Sequence, residues 1–134
     1  MEFLDAVLNG LTLVVQWPAI GYLCLGVVLG MFFGAVPGLS GLVGMAILLP
    51  FTFDMEPVSA FAFLLGMFAV TTTSDTVASV MLGIPGTAAS QATILDGYPM
   101  ARKGEAARAF GAAFTVSAVG GVLGAVILGL SIPI

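Results

Sequence analysis

The sequence predicts an all-α, polytopic membrane protein with transmembrane helices, Pro-Gly-broken or re-entrant segments and an N-terminal interfacial helix. Apolar residues make up 60% of the 134 residues and charged residues only 7%, whereas a soluble domain averages about 25% charged residues. The mean hydropathy is +1.19. Apolar stretches of helix length also alternate with short segments that contain proline and glycine, as expected of a chain that crosses a bilayer several times.

The composition also argues against several functional classes. The chain has no histidine, so it can form neither a Ser-His-Asp triad nor a His-ligated metal site by itself. Cys24 is the single cysteine, and we interpret it as a small buried hydrophobe. Three basic residues against seven acidic ones provide no basic face for nucleic acid. We therefore expect a protein that is not an enzyme, needs no cofactor and binds no nucleic acid.

Residues 1–17 alternate apolar residues with polar ones such as Asp5 and Gln16. This pattern predicts an interfacial amphipathic helix that ends near Trp17, an aromatic residue suited to the membrane boundary. The front of a longer, tilted span is the alternative. No cleavable signal peptide is evident, because the N-terminus is acidic and no small-residue cleavage site follows a short apolar core.

The segment 18–35 predicts the first membrane span, because it is close to the roughly 20 residues that a span requires. Glycines recur in it and just beyond it at every fourth position: Gly26, Gly30, Gly34 and Gly38. Such a ridge allows another helix backbone to approach closely, and van der Waals packing is a main attraction between helices in lipid. With 18 glycines in the chain, some spacings of this kind also arise by chance.

The segment 36–53 predicts a break followed by a half-helix or re-entrant arm. Pro37 removes a backbone donor and Gly38 tolerates the conformations of a turn. The apolar stretch that follows has only about a dozen residues, which is too short for an ordinary span. A polar turn at 54–56 then leads to Pro57, which is well placed as the first residue of the next helix.

The segment 57–83 predicts a span with a polar centre at Thr71–Thr76. On insertion scales an aspartate in the middle of a membrane helix costs about 2.5–3.5 kcal/mol, so Asp75 must face protein or a water-filled cavity. We expect local unwinding as one arrangement of this stretch. The alternative is that Asp75 hydrogen-bonds a neighbouring helix or lies near an interface.

The segment 84–104 predicts a second break and a polar corner at Asp96–Pro99, and the segment 105–132 predicts the last span. The last span carries a row of small residues at four-residue spacing (Ala109, Ala113, Ser117, Gly121, Ala125, Gly129), which indicates packing against a crossing helix. All three basic residues of the chain lie at 102, 103 and 108. By the positive-inside rule, the loop 96–108 is predicted to be cytoplasmic and the turn at Asp54 to face outward.

The two Pro-Gly breaks predict a ligand site, because broken backbone survives in hydrocarbon only if it is buried in protein or lines a wet cavity. A helix that restarts there presents unpaired N–H groups and the positive end of its dipole, which favour anions. Secondary carriers use broken helices in this way. The predicted carboxylate-binding residues are Pro37, Gly38, Ser40, Gly41, Pro85, Gly86, Thr87 and Ser90. The predicted residues for a coupling Na⁺ or H⁺ are Thr72, Thr73, Ser74 and Asp75.

Ser40 and Thr87 are further predicted to cap, or to donate hydroxyls at, the restarted helices that begin at Gly41 and Ala88. The alternative for both breaks is that they are kinks tolerated by packing, in a membrane scaffold or assembly module that does not transport. A channel is less favoured, because only one helix has a polar centre.

These motifs resemble the large membrane subunit of the tripartite tricarboxylate transporter family, the TctA type. The resemblance lies in Gly34–Leu39 (GAVPGL), Leu48–Phe53 (LLPFTF), Ile84–Ser90 (IPGTAAS) and Asp96–Ala101 (DGYPMA). It extends over nearly the whole chain. At Thr71–Thr76 the chain differs from many members of the family, in which this stretch is rich in glycine.

The resemblance implies a secondary carrier for citrate-like or other carboxylates, driven by a cation gradient. It also implies two partners, a small membrane subunit and a periplasmic solute-binding protein, and a place in the bacterial inner membrane. Membrane subunits of the family are several times longer than this chain, so the sequence is expected to be an N-terminal portion that holds one set of Pro-Gly elements.

Overall fold

The computed structural model of the protein describes residues 2–131, and this part of the chain is helical without any strand. The helices are α1 (Glu2–Val15), α2 (Ala19–Ala35), α3 (Gly41–Leu48), a short 3₁₀ helix (Leu49–Thr52), α4 (Pro57–Leu82), α5 (Gln91–Arg102) and α6 (Ala106–Ser131). The predicted all-α fold class is confirmed. The predicted end of the last span at Ile132 lies outside the described residues.

Two helices, α4 and α6, are long and apolar enough to cross a membrane, with 26 residues each. With its 17 residues, α2 rises only about 26 Å, slightly less than the ~30 Å hydrocarbon core. It becomes a third candidate span only together with α1, from which it is bent by 76°. This bend is sharp enough for α1 to lie along the membrane surface while α2 enters the bilayer.

The glycine ridge of α2 packs against α4, which confirms the predicted close approach and identifies its partner. A Cβ added at Gly26, Gly30 or Gly34 would collide with the backbone carbonyls of Phe63, Met67 and Thr71 respectively, all on α4. At Gly34 it would also collide with the Ser74 side chain. Since both series advance four residues at a time, the two helices run in parallel. Gly38 does not belong to this ridge: it lies in the following turn at φ +87°, with open space around it.

The helix α3 runs back along α4 in the opposite direction. Gly41 lies against Phe68 and Thr71, whereas Gly44, one turn later, lies against Met67. The 3₁₀ helix continues this return, and α4 then begins beside the start of α2, where Pro18 and Glu56 line the same small cavity of about 50 Å³. The chain therefore descends with α2, climbs back and descends again with α4.

The second connection also turns back on itself. α4 is followed by Gly83, whose backbone adopts the left-handed conformation (φ +66°) and which packs on the ring of Tyr98. The chain then returns to the level of Asp75, which contacts Gly86, before α5 descends beside the end of α4 with Gly97 against Val80. After a turn at Gly104, α6 climbs again and its Ser117 reaches α4.

Two predictions for this region are wrong. The restarted helix begins at Gln91 and not at Ala88, because Thr87–Ser90 form a hydrogen-bonded turn in front of it. The sequence Asp96–Pro99 is not a corner but part of α5, with Pro99 inside the helix. A proline near the end of a helix removes only one late hydrogen bond, and α5 continues to Arg102 before the turn at Gly104.

The buried core follows the α2–α4 contact and the inner face of α4, as shown by Phe63, Met67 and Val80. Thr71–Thr76 remains regular helix, so the local unwinding considered for this stretch does not occur. Cys24 is exposed and not buried as predicted. The small-residue row of α6 is buried only at Ala109, and most of α6 beyond it is exposed.

Candidate functional site

The polar stretch of α4 divides its hydroxyl groups between two sides of the helix. On the side facing α2, Thr71 and Ser74 lie within hydrogen-bond distance of the Gly30 carbonyl oxygen, at 3.3 and 3.2 Å. Both also donate to carbonyls of their own helix, Thr71 to Met67 at 2.8 Å and Ser74 to Val70 at 3.0 Å. These two hydroxyls are thus engaged in helix packing.

On the other side of α4, the polar residues face α6 and open space. The hydroxyl of Thr72 donates to the carbonyl of Ala69 at 2.8 Å, and the residue is exposed. Thr73 and Ser117 share a hydrogen bond of 3.1 Å that joins α4 to α6. Of the four residues predicted to serve a coupling cation, Ser74 therefore lies on the α2 side, away from Thr72.

Asp75 is the buried acid of this helix, with 3% of its surface exposed. Its carboxylate oxygen Oδ2 accepts a hydrogen bond from the hydroxyl of Thr87 at 2.5 Å. Gly86 fits against the same side chain, because a Cβ placed there would lie only 2.6 Å from the Cβ of Asp75. The structure thus joins an acid predicted for the cation with two residues predicted for the carboxylate.

Ser90 closes the turn that precedes α5. Its hydroxyl accepts a hydrogen bond from the Thr87 N–H at 3.1 Å and donates one to the Thr87 carbonyl at 3.0 Å. Ser90 is buried, whereas Pro85 is exposed on the outside of the loop. Thr87 is not the N-cap of the restarted helix. The N-cap position of α5 is Ser90, and its side chain makes no cap hydrogen bond.

A cleft of about 260 Å³ opens between α4, the start of α5 and α6. Its lining is mostly small and polar: Thr72, Asp75, Thr76, Ala89, Ser90, Thr93, Ala113, Val116 and Ser117. Asp75 is the single ionisable side chain among these residues. Within residues 2–131, no three His, Cys, Asp or Glu side chains come together as a metal cluster.

The first interruption has fewer connections to this cleft. Ser40 caps α3 as predicted, accepting a hydrogen bond from the Val43 N–H at 3.4 Å. Gly41 is buried against Thr71, while Gly38 is exposed and Pro37 half-buried. None of these four predicted residues lines the cleft that holds Asp75.

The two restarted helices nevertheless begin at neighbouring levels of α4. The first residue of α3 meets Thr71, and the loop before α5 meets Asp75, one turn or about 6 Å further along the axis. From there α3 and α5 run in opposite directions, so their N-termini point toward the same polar level. Such ends carry unpaired N–H groups and a partial positive charge.

Three polar residues of the cleft were not among the predicted site residues: Thr76, Thr93 and Ser117. Thr93 lies three residues after Ser90, so a helical spacing from that serine was the available signal. Ser117 was assigned to the small-residue packing row, and only the fold shows that this row passes Thr73. Thr76 was recognised as part of the polar centre but not as a cleft residue.

A helical membrane protein with a polar cleft beside interrupted helices has the architecture that secondary carriers use for their substrates. The chain matches the sequence model of the Tripartite tricarboxylate transporter TctA family over residues 20–134. The chain belongs to this family, which confirms the resemblance drawn from its motifs.

One similar relative is an uncharacterised 52.8 kDa protein in the TAR-I ttuC′ 3′ region of Agrobacterium vitis. It is 33% identical over 108 residues, which cover 81% of this chain and 22% of the relative. The chain thus spans about a fifth of the length of the curated relative that it matches. No solved structure matches the chain significantly.

Proposed function

We propose that the chain contributes a carboxylate-binding site to the membrane subunit of a cation-coupled transporter for tricarboxylates or related carboxylates. The proposed transporter receives its substrate from a periplasmic solute-binding protein and works with a small membrane subunit. It lies in the bacterial inner membrane, with residues 96–108 (the end of α5, the turn at Gly104 and the start of α6) on the cytoplasmic side, because all three basic residues of the chain are found there.

The observation that carries the proposal is the cleft between α4, α5 and α6. It joins the start of a restarted helix, several hydroxyl groups and one buried acid in a chain that is otherwise apolar. A polar cavity in a membrane helix bundle is costly unless it serves a polar ligand. Membership of the TctA family supports a carboxylate as that ligand.

In the proposed site, the carboxylate lies over the N-terminus of α5, beside Ser90 and Thr93. The partial positive charge of that helix end attracts it, and the hydroxyls of the cleft can donate hydrogen bonds to it. From the first interruption, the N-terminus of α3 adds its partial positive charge one turn of α4 away, although Gly38, Ser40 and Gly41 do not line the cleft. The coupling Na⁺ or H⁺ is taken up at Asp75, with Thr72 and Thr73 nearby on the same side of α4.

Labelling of an introduced cysteine tests this site without requiring knowledge of the whole protein. Ala89→Cys places a thiol in the cleft, and Asp54→Cys places one in the exposed turn before α4, outside the cleft lining and outside the candidate spans. Both are made in a Cys24→Ser background of the full-length protein, because Cys24 is itself exposed. We expect a membrane-impermeant maleimide to react with Ala89→Cys, and citrate to slow this reaction in the presence of Na⁺.

Citrate should not alter labelling at Asp54→Cys, which serves as the control for general effects on the bilayer or the reagent. A membrane scaffold that only packs through its glycines predicts a different result, in which Ala89→Cys never reacts with the impermeant reagent. Labelling that proceeds equally with and without citrate, in a protein that also takes up no carboxylate, would contradict the proposed function.

A further inference from the structure

The two hydroxyl groups of the loop before α5, those of Thr87 and Ser90, already donate within the chain. The hydroxyl of Thr87 donates to Asp75, and the Thr87 N–H donates to the hydroxyl of Ser90. The Ser90 hydroxyl in turn donates to the Thr87 carbonyl. Thr87 does not itself line the cleft, but its hydroxyl binds the carboxylate of Asp75, which does. A substrate carboxylate that enters the cleft therefore finds this donor already given to another carboxylate.

We propose that Thr87 couples the two ligands, because its single hydroxyl proton is given either to Asp75 or to the bound substrate. Without a cation, Asp75 holds this proton donor and repels the anionic substrate. When a cation neutralises Asp75, the hydroxyl turns to the substrate carboxylate. The inference rests on the proposed function and adds an order to it, in which the cation binds first and the carboxylate second.

The chemistry of the contact supports this exchange. A hydroxyl has one proton to donate, so it cannot serve two carboxylates as donor at once. Charge-assisted hydrogen bonds of this length are among the stronger ones in proteins, so Asp75 gives up the donor only when its charge is compensated. Asp75 is the single ionisable group that lines the cleft, and the hydroxyls of Thr72 and Thr76 line the same space with further oxygen atoms for the cation.

The contact also links two elements of the fold, the loop 83–90 and α4. Within residues 2–131, the Thr87–Asp75 bond is the side-chain hydrogen bond that ties the loop 83–90 to α4. Cation binding at Asp75 should therefore change the position of the loop even when no substrate is present. By linkage, a cation that favours carboxylate binding must itself be bound more tightly when the carboxylate is present.

The experiment uses sodium alone as the probe and a thiol in the loop as the reporter. Ala88 is exposed and adjoins Thr87, so Ala88→Cys is made in the Cys24→Ser background of the full-length protein in membrane vesicles. Its labelling rate is compared in sodium chloride and in choline chloride at equal ionic strength. We expect sodium to change the rate by roughly tenfold, within the range of ordinary coupling between two sites.

Two variants remove the link from opposite sides. In Asp75→Asn and in Thr87→Val, the labelling rate at residue 88 should no longer respond to sodium. Thr87→Ser keeps the hydroxyl and should restore the response, which a merely structural role of the threonine side chain does not predict. Labelling of Asp54→Cys in each variant shows that the protein has inserted, and its elution as a single species in detergent shows whether it is folded.

The link is overturned if labelling of Ala88→Cys does not respond to sodium while Asp75 and Thr87 are intact. It is also overturned if the response survives in Asp75→Asn or Thr87→Val. This failure is distinguishable from failure of the proposed function. Citrate uptake that depends on sodium without any change at residue 88 removes the Thr87 link alone. A sodium response in a protein that neither takes up nor is protected by carboxylates keeps the link and removes the proposed substrate.

Discussion

The two Pro-Gly interruptions have similar sequences but are connected to the rest of the protein in different ways. The first connects α2 to α3 through five residues, and its serine caps the helix that follows. The second connects α4 to α5 through eight residues, and its threonine binds the buried Asp75. Each interruption places a glycine against α4, but Gly41 meets the methyl-bearing side of Thr71 while Gly86 meets an acid.

This difference indicates how one motif can serve two purposes. The hydroxyl of Ser40 accepts a hydrogen bond from a backbone N–H of the helix that it begins, which is the ordinary role of an N-cap serine. The hydroxyl of Thr87, in contrast, donates from the loop before α5 to a carboxylate on α4. We infer that the first interruption mainly positions α3, and that the second forms most of the ligand site.

The largest difference between the two regions should appear in transport. We expect Asp75→Ala to reduce uptake of citrate, as the first carboxylate tested, to the level of vesicles without transporter. Thr71→Val, one turn earlier on the α2 side, should retain uptake, because that hydroxyl only supplements helix packing. Radiolabel uptake into vesicles that contain the full-length protein and its partners measures both. Normal uptake by Asp75→Ala would contradict the central role of the second interruption.

The next effect compares a methyl group added at each glycine contact. Gly86→Ala places its Cβ 2.6 Å from the Cβ of Asp75, an atom fixed close to the backbone, and should destabilise the protein by about 1–3 kcal/mol. Gly41→Ala meets Phe68 and Thr71 side chains at 3.1–3.2 Å, which can yield, so we expect less than about 1 kcal/mol. Apparent melting temperatures in detergent test this order. A larger loss for Gly41→Ala would show that the contacts of the two loops have been misjudged.

A smaller effect is expected at the left-handed glycines of the two turns. Gly38 at φ +87° has no neighbouring atom within 4 Å, so Gly38→Ala should cost only the backbone strain of about 1–2 kcal/mol. Gly83→Ala adds to this strain a contact of 3.1 Å with the ring of Tyr98. The same melting experiment should therefore rank Gly83→Ala below Gly38→Ala in stability. Equal losses would mean that the Tyr98 ring moves aside freely.

The smallest effect concerns the two serines. Ser40→Ala removes one long, solvent-exposed cap bond of 3.4 Å and should cost about 0.5 kcal/mol, the low end for an N-cap. Ser90→Ala leaves the half-buried N–H of Thr87 without its partner and should cost about 1 kcal/mol. Hydrogen exchange of the Thr87 amide provides a second measure. It should accelerate in Ser90→Ala and remain unchanged in Ser40→Ala.

Sequence patterns predicted the elements of this fold well where a single physical constraint dominates. The length of the apolar segment predicted α4, and the Gly26–Gly30–Gly34 spacing predicted a close helix contact, although the partner helix appeared only in the structure. Pro99 illustrates the limit of such reasoning, because a Pro next to Gly97 and Asp96 is typical of a corner. Burial of Gly97 against Val80 keeps this segment helical despite its composition.

The candidate site was less accessible to sequence analysis. Asp75, Thr87 and Ser90 were each selected as unusual residues in an apolar chain, but they were assigned to separate cation and substrate roles. Their contact depends on the loop 83–90 folding back along α4, and nothing in local spacing specifies that return. Ser117 was missed as a site residue for a related reason, since its place in the cleft depends on how α6 crosses α4.

A structure of the full-length protein determined with citrate and Na⁺ provides the most direct measurement. The account predicts that citrate density lies in the cleft between α4, α5 and α6, with a carboxylate near Ser90 and Thr93 and the Thr87 hydroxyl turned toward it. Citrate bound elsewhere, with side chains from the rest of the protein filling this cleft and Thr87 still bonded to Asp75, would contradict it.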